Sequence, residues 1–152
     1  MNKYVTSLEL SKKLKEAGVV AETECYWLID SPDPSTGKER SRVEYFGSEK
    51  PKNEDWHNII PAFMTDELLE ILPSNIHLNR NENKRSKSAD YRLIIKKSDK
   101  YFLVSYNDIV EDIFVISICD DKSLSNAIAK LALELKEQDL LWTIIRTSVN
   151  QI

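Results

Sequence analysis

"YRLIIKKSDKYFLVSY", residues 91 to 106, decides the fold because it predicts a β-hairpin. Two runs rich in β-branched and aromatic residues flank the polar tripeptide at 98–100, which has the composition of a tight turn. The next apolar run, "IFVISIC" (113–119), is hydrophobic at nearly every residue, which predicts a central strand covered on both faces. We therefore expect three successive antiparallel strands.

A helix is predicted directly after these strands. Ser123 is a suitable N-cap, and apolar residues recur after it at helical spacing. They are Leu124, Ile128, Leu131, Ala132 and Leu135. This stripe predicts a helix that packs across residues 91–119 and forms the main core.

A first helix is predicted near the N-terminus, over residues 7–17. Thr6 and Glu9 have the spacing of a capping box, and Val5 and Leu10 that of a hydrophobic staple.

Gly18 is placed to end this helix as a left-handed cap. The outer face carries Lys12, Lys13 and Lys15. The segment that follows becomes strand-like within about six residues, so it offers no recognition helix, which argues against a DNA-binding helix-turn-helix.

The middle of the chain predicts four further elements. They are a strand over 24–30, a turn-rich loop over 31–41, a return strand over 42–47 and a helix over 65–73. Thr65 is the expected N-cap of that helix and Pro73 its stop. Residues 79–90 are almost entirely polar and predict a flexible loop.

Together these elements predict one α+β domain spanning residues 1–152. We expect a mostly antiparallel sheet of about five strands with two or three helices, the C-terminal helix packed on the sheet. A chain of 152 residues is long enough to bury a real core.

The amino-acid composition disfavours some classes of function. The net charge of −4, from 21 basic and 25 acidic residues, disfavours a domain dedicated to the phosphate backbone. Cys25 and Cys119 each lie in an apolar run, which predicts two reduced, buried thiols. No stretch is long and apolar enough to span a bilayer and no signal-peptide pattern is present, so we expect a protein of the bacterial cytoplasm with no membrane partner.

Few residues of this chain suggest a catalytic, metal-binding or nucleotide-binding site. Three glycines cannot build a nucleotide-binding loop, and the two histidines and two cysteines form no local ligand pair for zinc. We therefore expect no cofactor, no metal, no catalytic residue and no enzymatic activity. His57, next to Trp56 and Asp55, is the most suggestive position, because a carboxylate can orient an imidazole; a hydrolytic enzyme centred on it is the weakest alternative.

Two segments suggest contact with other molecules. The 79–90 loop carries Arg80, Lys84, Arg85 and Lys87, a set that suits RNA, single-stranded DNA or an acidic protein surface. The apolar segment 140–152 is either a last strand or a surface offered to a partner, including a second copy of the chain in a homodimer.

Two resemblances add context. "TSLELSKKLKEAGV", "ETECYW", "IPAFMTDELLEILP" and "SLSNAIAKLALELKEQDLL", in this order and spacing, resemble a diffuse group of small uncharacterised proteins encoded by bacteriophages and prophages. Residues 91–137, with the helix start at Ser123, Leu124 and Ala127, are similar to the β-β-β-α order of the HicB-type antitoxin domain, which binds a small toxin. The segment "NDIVED" departs from that family, which has a proline-glycine loop there.

The resemblance to phage proteins implies a phage or mobile-element context and no mechanism, so the expected function rests on this context together with the lack of motifs for chemistry. We expect a non-enzymatic accessory protein that binds a host protein or ribonucleoprotein, for example to inhibit a defence or nucleic-acid-processing enzyme. The alternatives are an RNA- or single-stranded-DNA-binding domain that uses loop 80–87, and an antitoxin-like partner-binding domain. The candidate interaction residues are Trp56, His57, Arg80, Lys84, Arg85 and Lys87.

Overall fold

The computed structural model describes residues 4–19, 22–52, 58–78, 89–110 and 115–140. Its three helices are α1 (Leu8–Glu16), α2 (Thr65–Ile71) and α3 (Leu124–Glu137). Its seven strands are β1 (Cys25–Ile29), β2 (Ser41–Tyr45), β3 (Asn58–Pro61), β4 (Asn75–Leu78), β5 (Ala89–Lys97), β6 (Phe102–Asp108) and β7 (Val115–Asp121).

The described strands form two sheets, and every pair of neighbours is antiparallel. The smaller sheet has the order β2-β1-β3 and the larger one the order β4-β5-β6-β7. The predicted α+β class and the packing of the C-terminal helix on a sheet are confirmed. We expected one sheet of about five strands, whereas the described residues form seven strands in two sheets. The two additional strands are β3 and β4, which are short and which the sequence pattern does not predict.

The hairpin predicted over residues 91–106 is present as β5 and β6. Its register runs from Tyr91 opposite Asp108 to Lys97 opposite Phe102. Ser98 closes the turn: its amide donates to the Tyr101 carbonyl at 2.9 Å, and its hydroxyl accepts from the Tyr101 amide at 3.2 Å.

The predicted central position of the third strand is not what the described strands show. Among them, β7 lies at the edge of the larger sheet, and α3 packs on the face that carries Cys119. Cys119 faces the core, whereas Ile118 points the other way and is 55% exposed. The run is apolar on both faces because exposed Ile118 lies on the face opposite the buried Cys119.

α3 packs on β6 and β7 and supplies most of the larger core. Ile128, Leu131, Ala132 and Leu135 are completely buried, as their spacing predicts. Ser123 is the N-cap residue, but its own side chain does not cap the helix.

The start of α1 differs from the predicted capping box. The N-cap is Ser7, whose hydroxyl accepts from the Leu10 amide at 3.4 Å, one residue later than the predicted Thr6. The predicted glycine stop is confirmed. Gly18 has a φ of +69°, and it and Val19 donate to the carbonyls of Lys15 and Leu14, the two bonds of a Schellman motif.

The start of α2 is also shifted by one residue, because Met64, not the predicted Thr65, is its N-cap. The Glu67 carboxylate accepts from the Met64 amide at 2.7 Å, which satisfies an amide at the helix start. The helix ends at Ile71, two residues before Pro73.

The smaller sheet has its own hydrophobic cluster. All five residues of β1 are buried, and Val5, Cys25, Trp27, Ile29, Ile60 and Ala62 pack together. The Trp27 indole donates to the Thr6 carbonyl at 3.0 Å, which ties the start of α1 to β1. Cys25 and Cys119 are both free and buried, as predicted. Among the helices of the described ranges, none has the length and hydrophobicity needed to cross a membrane.

Candidate functional site

The predicted interaction residues all lie outside the described residues. They are Trp56, His57, Arg80, Lys84, Arg85 and Lys87. The predicted dimerisation segment 140–152 lies outside them as well, apart from Leu140. These remain predictions. The described residues contain other candidate sites.

The three lysines of α1 do not form one surface. Lys13 pairs with Glu9 one turn earlier, with 2.9 Å between Nζ and Oε1. Lys12 and Lys15 instead line a depression of about 500 Å³ between α1 and β3. We call it the lysine depression; its lining residues are Lys12, Lys15, Glu16, Asn58 and Ile60.

Among the described strands, β3 beside this depression lies at the edge of the smaller sheet. In the register of β1 and β3, the Ala62 amide donates to the Cys25 carbonyl at 2.9 Å, so residues 60 and 58 direct their backbone groups to β1. Ile59, between them, directs its amide and carbonyl away from β1. The Lys15 ammonium donates to that carbonyl at 3.3 Å, which confirms the direction.

A second candidate is the face of the larger sheet opposite α3, which we call the outer sheet face. Val104 and Cys119 face the core, so the residues that alternate with them point outward. One cross-strand row contains Ile94, Ser105 and Ile118, and the next contains Lys96, Leu103 and Asp120.

The outer sheet face has an apolar centre and a charged rim. Ile94 and Leu103 are half-buried, and Ile118 and Tyr101 are 55% and 43% exposed. Arg92 and Lys96 on β5 and Asp120 on β7 are exposed charges around them. Sequence analysis missed this surface because it assigned β7 to the interior.

Two polar side chains lie in the middle of this face. Ser105 is 1% exposed, and its hydroxyl donates to Asn107 Oδ1 at 2.6 Å. The apolar composition of 101–106 does not indicate that a buried polar pair lies beside the half-buried Ile94 and the exposed Ile118.

Within the described residues a histidine meets a carboxylate at His77, while the predicted His57 lies outside them. His77 on β4 stands directly opposite Asp90 on β5, with 2.5 Å between Nδ1 and Oδ1. Asp90 is two residues before Arg92, so the pair lies on the outer sheet face, and both side chains are more than half exposed. Such a pair can orient an imidazole. Sequence analysis missed it because Asp90 was assigned to a solvated loop and β4 was not predicted.

The two thiols are poorly suited to nucleophilic attack. Burial, followed by hydrogen bonding to Glu134, raises the pKa of Cys119 to about 12. Burial, followed by the nearby Glu67 and Glu24 carboxylates, raises the pKa of Cys25. Both therefore stay protonated at neutral pH, whereas the thiolate is the reactive form. Within the described ranges, no three histidine, cysteine or acidic side chains are grouped closely enough to hold a metal ion.

Comparison with known proteins assigns neither a family nor a function to this chain. No protein-family model, curated protein sequence or solved structure matches this chain.

Proposed function

We propose that this chain is a non-enzymatic accessory protein of a phage or prophage that binds a host protein in the bacterial cytoplasm through the outer sheet face. The observation that carries the proposal is the exposure of Ile118 on the outer sheet face, which also carries the half-buried Ile94 and Leu103 and ends at the exposed Tyr101. Exposing such side chains together costs free energy in water, and surfaces of this kind commonly serve interaction.

The chemistry of the rim favours a protein over a nucleic acid as the partner. Arg92 and Lys96 are balanced on the same face by Asp90 and Asp120, so the surface lacks the basic excess that a phosphate backbone requires. An apolar centre with tyrosine, surrounded by arginine and other charges, matches the usual composition of protein interfaces.

The edge position of β7 supports the same conclusion. Within the described residues, β7 pairs with β6 on one side only, and Ile118 lies in its middle. A partner that contacts Ile118 could also pair with this edge, so that backbone hydrogen bonds add to side-chain contacts.

The test is a binding measurement with matched variants. Tagged protein would capture partners from host lysate, and each purified partner would then be titrated against the wild type, Ile118→Asp and Tyr45→Asp. We expect Ile118→Asp to weaken binding by about tenfold or more, as expected for a residue in the centre of an interface. Tyr45→Asp, which places the same charge on the exposed face of the other sheet, should have no effect.

Circular dichroism would verify that Ile118→Asp folds, and Tyr101→Asp gives a second variant of the same surface. If a partner binds Ile118→Asp and Tyr101→Asp as tightly as it binds the wild type, the outer sheet face is not the interface. If no purified partner binds the wild type, the proposal fails as a whole.

A further inference from the structure

We propose that the lysine depression binds a sugar phosphate, with its phosphate held by Lys12 and Lys15 and its hydroxyl groups by Glu16. This site lies on α1 and β3, away from the outer sheet face of the larger sheet. It therefore does not depend on the proposed protein partner, and the two can be tested separately.

The size of the depression suits a small ligand. Its volume of about 500 Å³ lies within the range of roughly 300–1,000 Å³ that is typical of small-molecule sites. Its walls come from two elements, with Lys12, Lys15 and Glu16 on α1 and Asn58 and Ile60 on β3.

The ammonium groups of Lys12 and Lys15 can bind an anion in this depression. Lys12 forms no ion pair with any residue in the described part of the chain. Lys15 donates to a neutral backbone carbonyl, that of Ile59, at the long distance of 3.3 Å. A phosphate oxygen is a stronger acceptor than that carbonyl, because a hydrogen bond between two charged groups is shorter and stronger.

The edge of β3 adds neutral donors to the same side. The Ile59 amide points away from β1, in the direction of the carbonyl that Lys15 reaches. The side chain of Asn58 is exposed and lines the depression, and its carboxamide can donate as well. Donors on α1 and on β3 therefore lie at the depression or beside it.

Glu16 determines which anion fits. Its carboxylate and the negative end of the α1 dipole both repel a bare phosphate. A ligand that carries hydroxyl groups beside its phosphate offsets part of this repulsion, since a hydroxyl donates a hydrogen bond to the carboxylate. A sugar phosphate has this combination, whereas inorganic phosphate does not.

A sugar phosphate could be free, part of a nucleotide or part of a nucleic acid. Amide chemical shifts of the whole chain would be followed during titration with ribose 5-phosphate, inorganic phosphate, adenosine monophosphate and a short single-stranded RNA, which keeps a free 2′-hydroxyl on each sugar. We expect saturable shifts centred on Ile59 and Asn58, with ribose 5-phosphate bound several-fold more tightly than inorganic phosphate. Tighter binding of the RNA than of the nucleotide would identify a nucleic acid as the source, and the reverse a small molecule.

Variants separate the proposed roles. Lys12→Gln and Lys15→Gln should each weaken ribose 5-phosphate binding by about fivefold, the effect expected for an exposed ion pair. Lys13→Gln is the matched control on the same helix, because Lys13 is already paired with Glu9, and it should change nothing. Glu16→Gln should strengthen binding of inorganic phosphate and reduce the preference for the sugar.

Two results would overturn the proposal. One is the absence of saturable shifts at Ile59 and Asn58 with ribose 5-phosphate. The other is an equal loss of affinity in Lys13→Gln and Lys12→Gln, which would indicate attraction by overall charge and not by this depression.

Discussion

Thr6 is held inside the protein by hydrogen bonds to other segments of the chain. Its hydroxyl shares a hydrogen bond with Ser11 at 2.7 Å and accepts from the Phe63 amide at 3.1 Å, and the residue is fully buried. Ser7, the actual cap of α1, makes one longer bond from its side chain. We therefore assign Thr6 the larger part in stability.

Thr6→Val should lower the free energy of unfolding by about 1–3 kcal/mol, because valine leaves the buried Phe63 amide without its partner and the Ser11 hydroxyl with only a 3.5 Å contact to the Thr6 carbonyl. Ser7→Ala should cost less, about 0.5–1 kcal/mol, as for an ordinary N-cap. Thr36→Val, in an exposed loop, is the control and should stay within about 0.5 kcal/mol of the wild type. Urea unfolding of the three variants measures this order; a larger loss in Ser7→Ala than in Thr6→Val would contradict it.

Gly18 gives a second prediction for a single residue. A side chain added there would meet no atom within 4 Å, so the cost of Gly18→Ala comes from its positive φ alone. We expect about 1–2 kcal/mol of destabilisation from that strain. Gly18→Asn should cost less, because asparagine tolerates this conformation better. Thermal unfolding would compare them, and equal losses would show that φ is not the cause.

At the scale of elements, Asp121 is one of the acidic residues that join β7 to α3. The Asp121 carboxylate accepts from the Ser123 amide at 3.0 Å and lies 2.7 Å from the Lys130 ammonium. Burial by itself would raise the pKa of Asp121, but these hydrogen bonds outweigh it and lower the pKa. The ionised form is thus favoured in the folded state.

A carboxyl group whose pKa is lower in the folded state stabilises the fold above its ordinary pKa of 3.8 and loses that effect as the pH falls below it. Asp121→Asn should therefore be less stable than the wild type at pH 6, and the difference should shrink towards pH 3. Asp120→Asn, its exposed neighbour, is the control. Urea midpoints at pH 6, 4 and 3 measure the effect, and a difference that is constant with pH would contradict it.

The elements that sequence analysis predicted are those specified by local pattern. The β5–β6 hairpin, α1 and α3 each carry their own turn, cap or apolar stripe, so no distant residue is needed to recognise them. β3 and β4 have four residues each and form through pairing with β1 and β5. The lysine depression joins Lys15 to Ile59, 44 positions apart, and the His77–Asp90 pair joins two strands of which one was not predicted. No local signal marks such contacts.

At the scale of the whole molecule, burial of neutral acids makes the fold sensitive to alkali. The thiol of Cys119, with an ordinary pKa of 9.0, has its pKa raised to about 12, and burial also raises the pKa of Tyr106. Above about pH 9 the unfolded chain loses the thiol proton while the folded chain keeps it, so stability falls as the pH rises. Removing the thiol should make this fall less steep.

Cys119→Ser provides the test, because a serine hydroxyl does not titrate in this range. Urea midpoints of the wild type and the variant would be compared between pH 8 and pH 10.5. We expect the variant to lose stability more slowly with pH, whatever its stability at pH 8. Parallel curves would show that the Cys119 thiol does not contribute to the alkaline loss.

The two hydrophobic clusters should unfold together, because α1 belongs to both. Leu10 and Leu14 pack in the larger cluster, while Leu8 packs against the smaller one. The Ser7 amide donates to Asn126 Oδ1 on α3 at 2.8 Å, and the Thr6 amide donates to the Phe63 carbonyl at 2.9 Å. α1 therefore couples the two sheets.

Ile128→Val in the larger cluster and Ile29→Val in the smaller one should each destabilise the protein by about 0.5–1.5 kcal/mol. If unfolding is one cooperative step, each variant lowers the protection of backbone amides against hydrogen exchange equally in both sheets. Amide hydrogen exchange at Leu28 in β1 and Val104 in β6 reports the two sheets separately. A change at Leu28 alone in Ile29→Val, with Val104 unaffected, would mean that the smaller sheet opens by itself and that α1 does not couple the two.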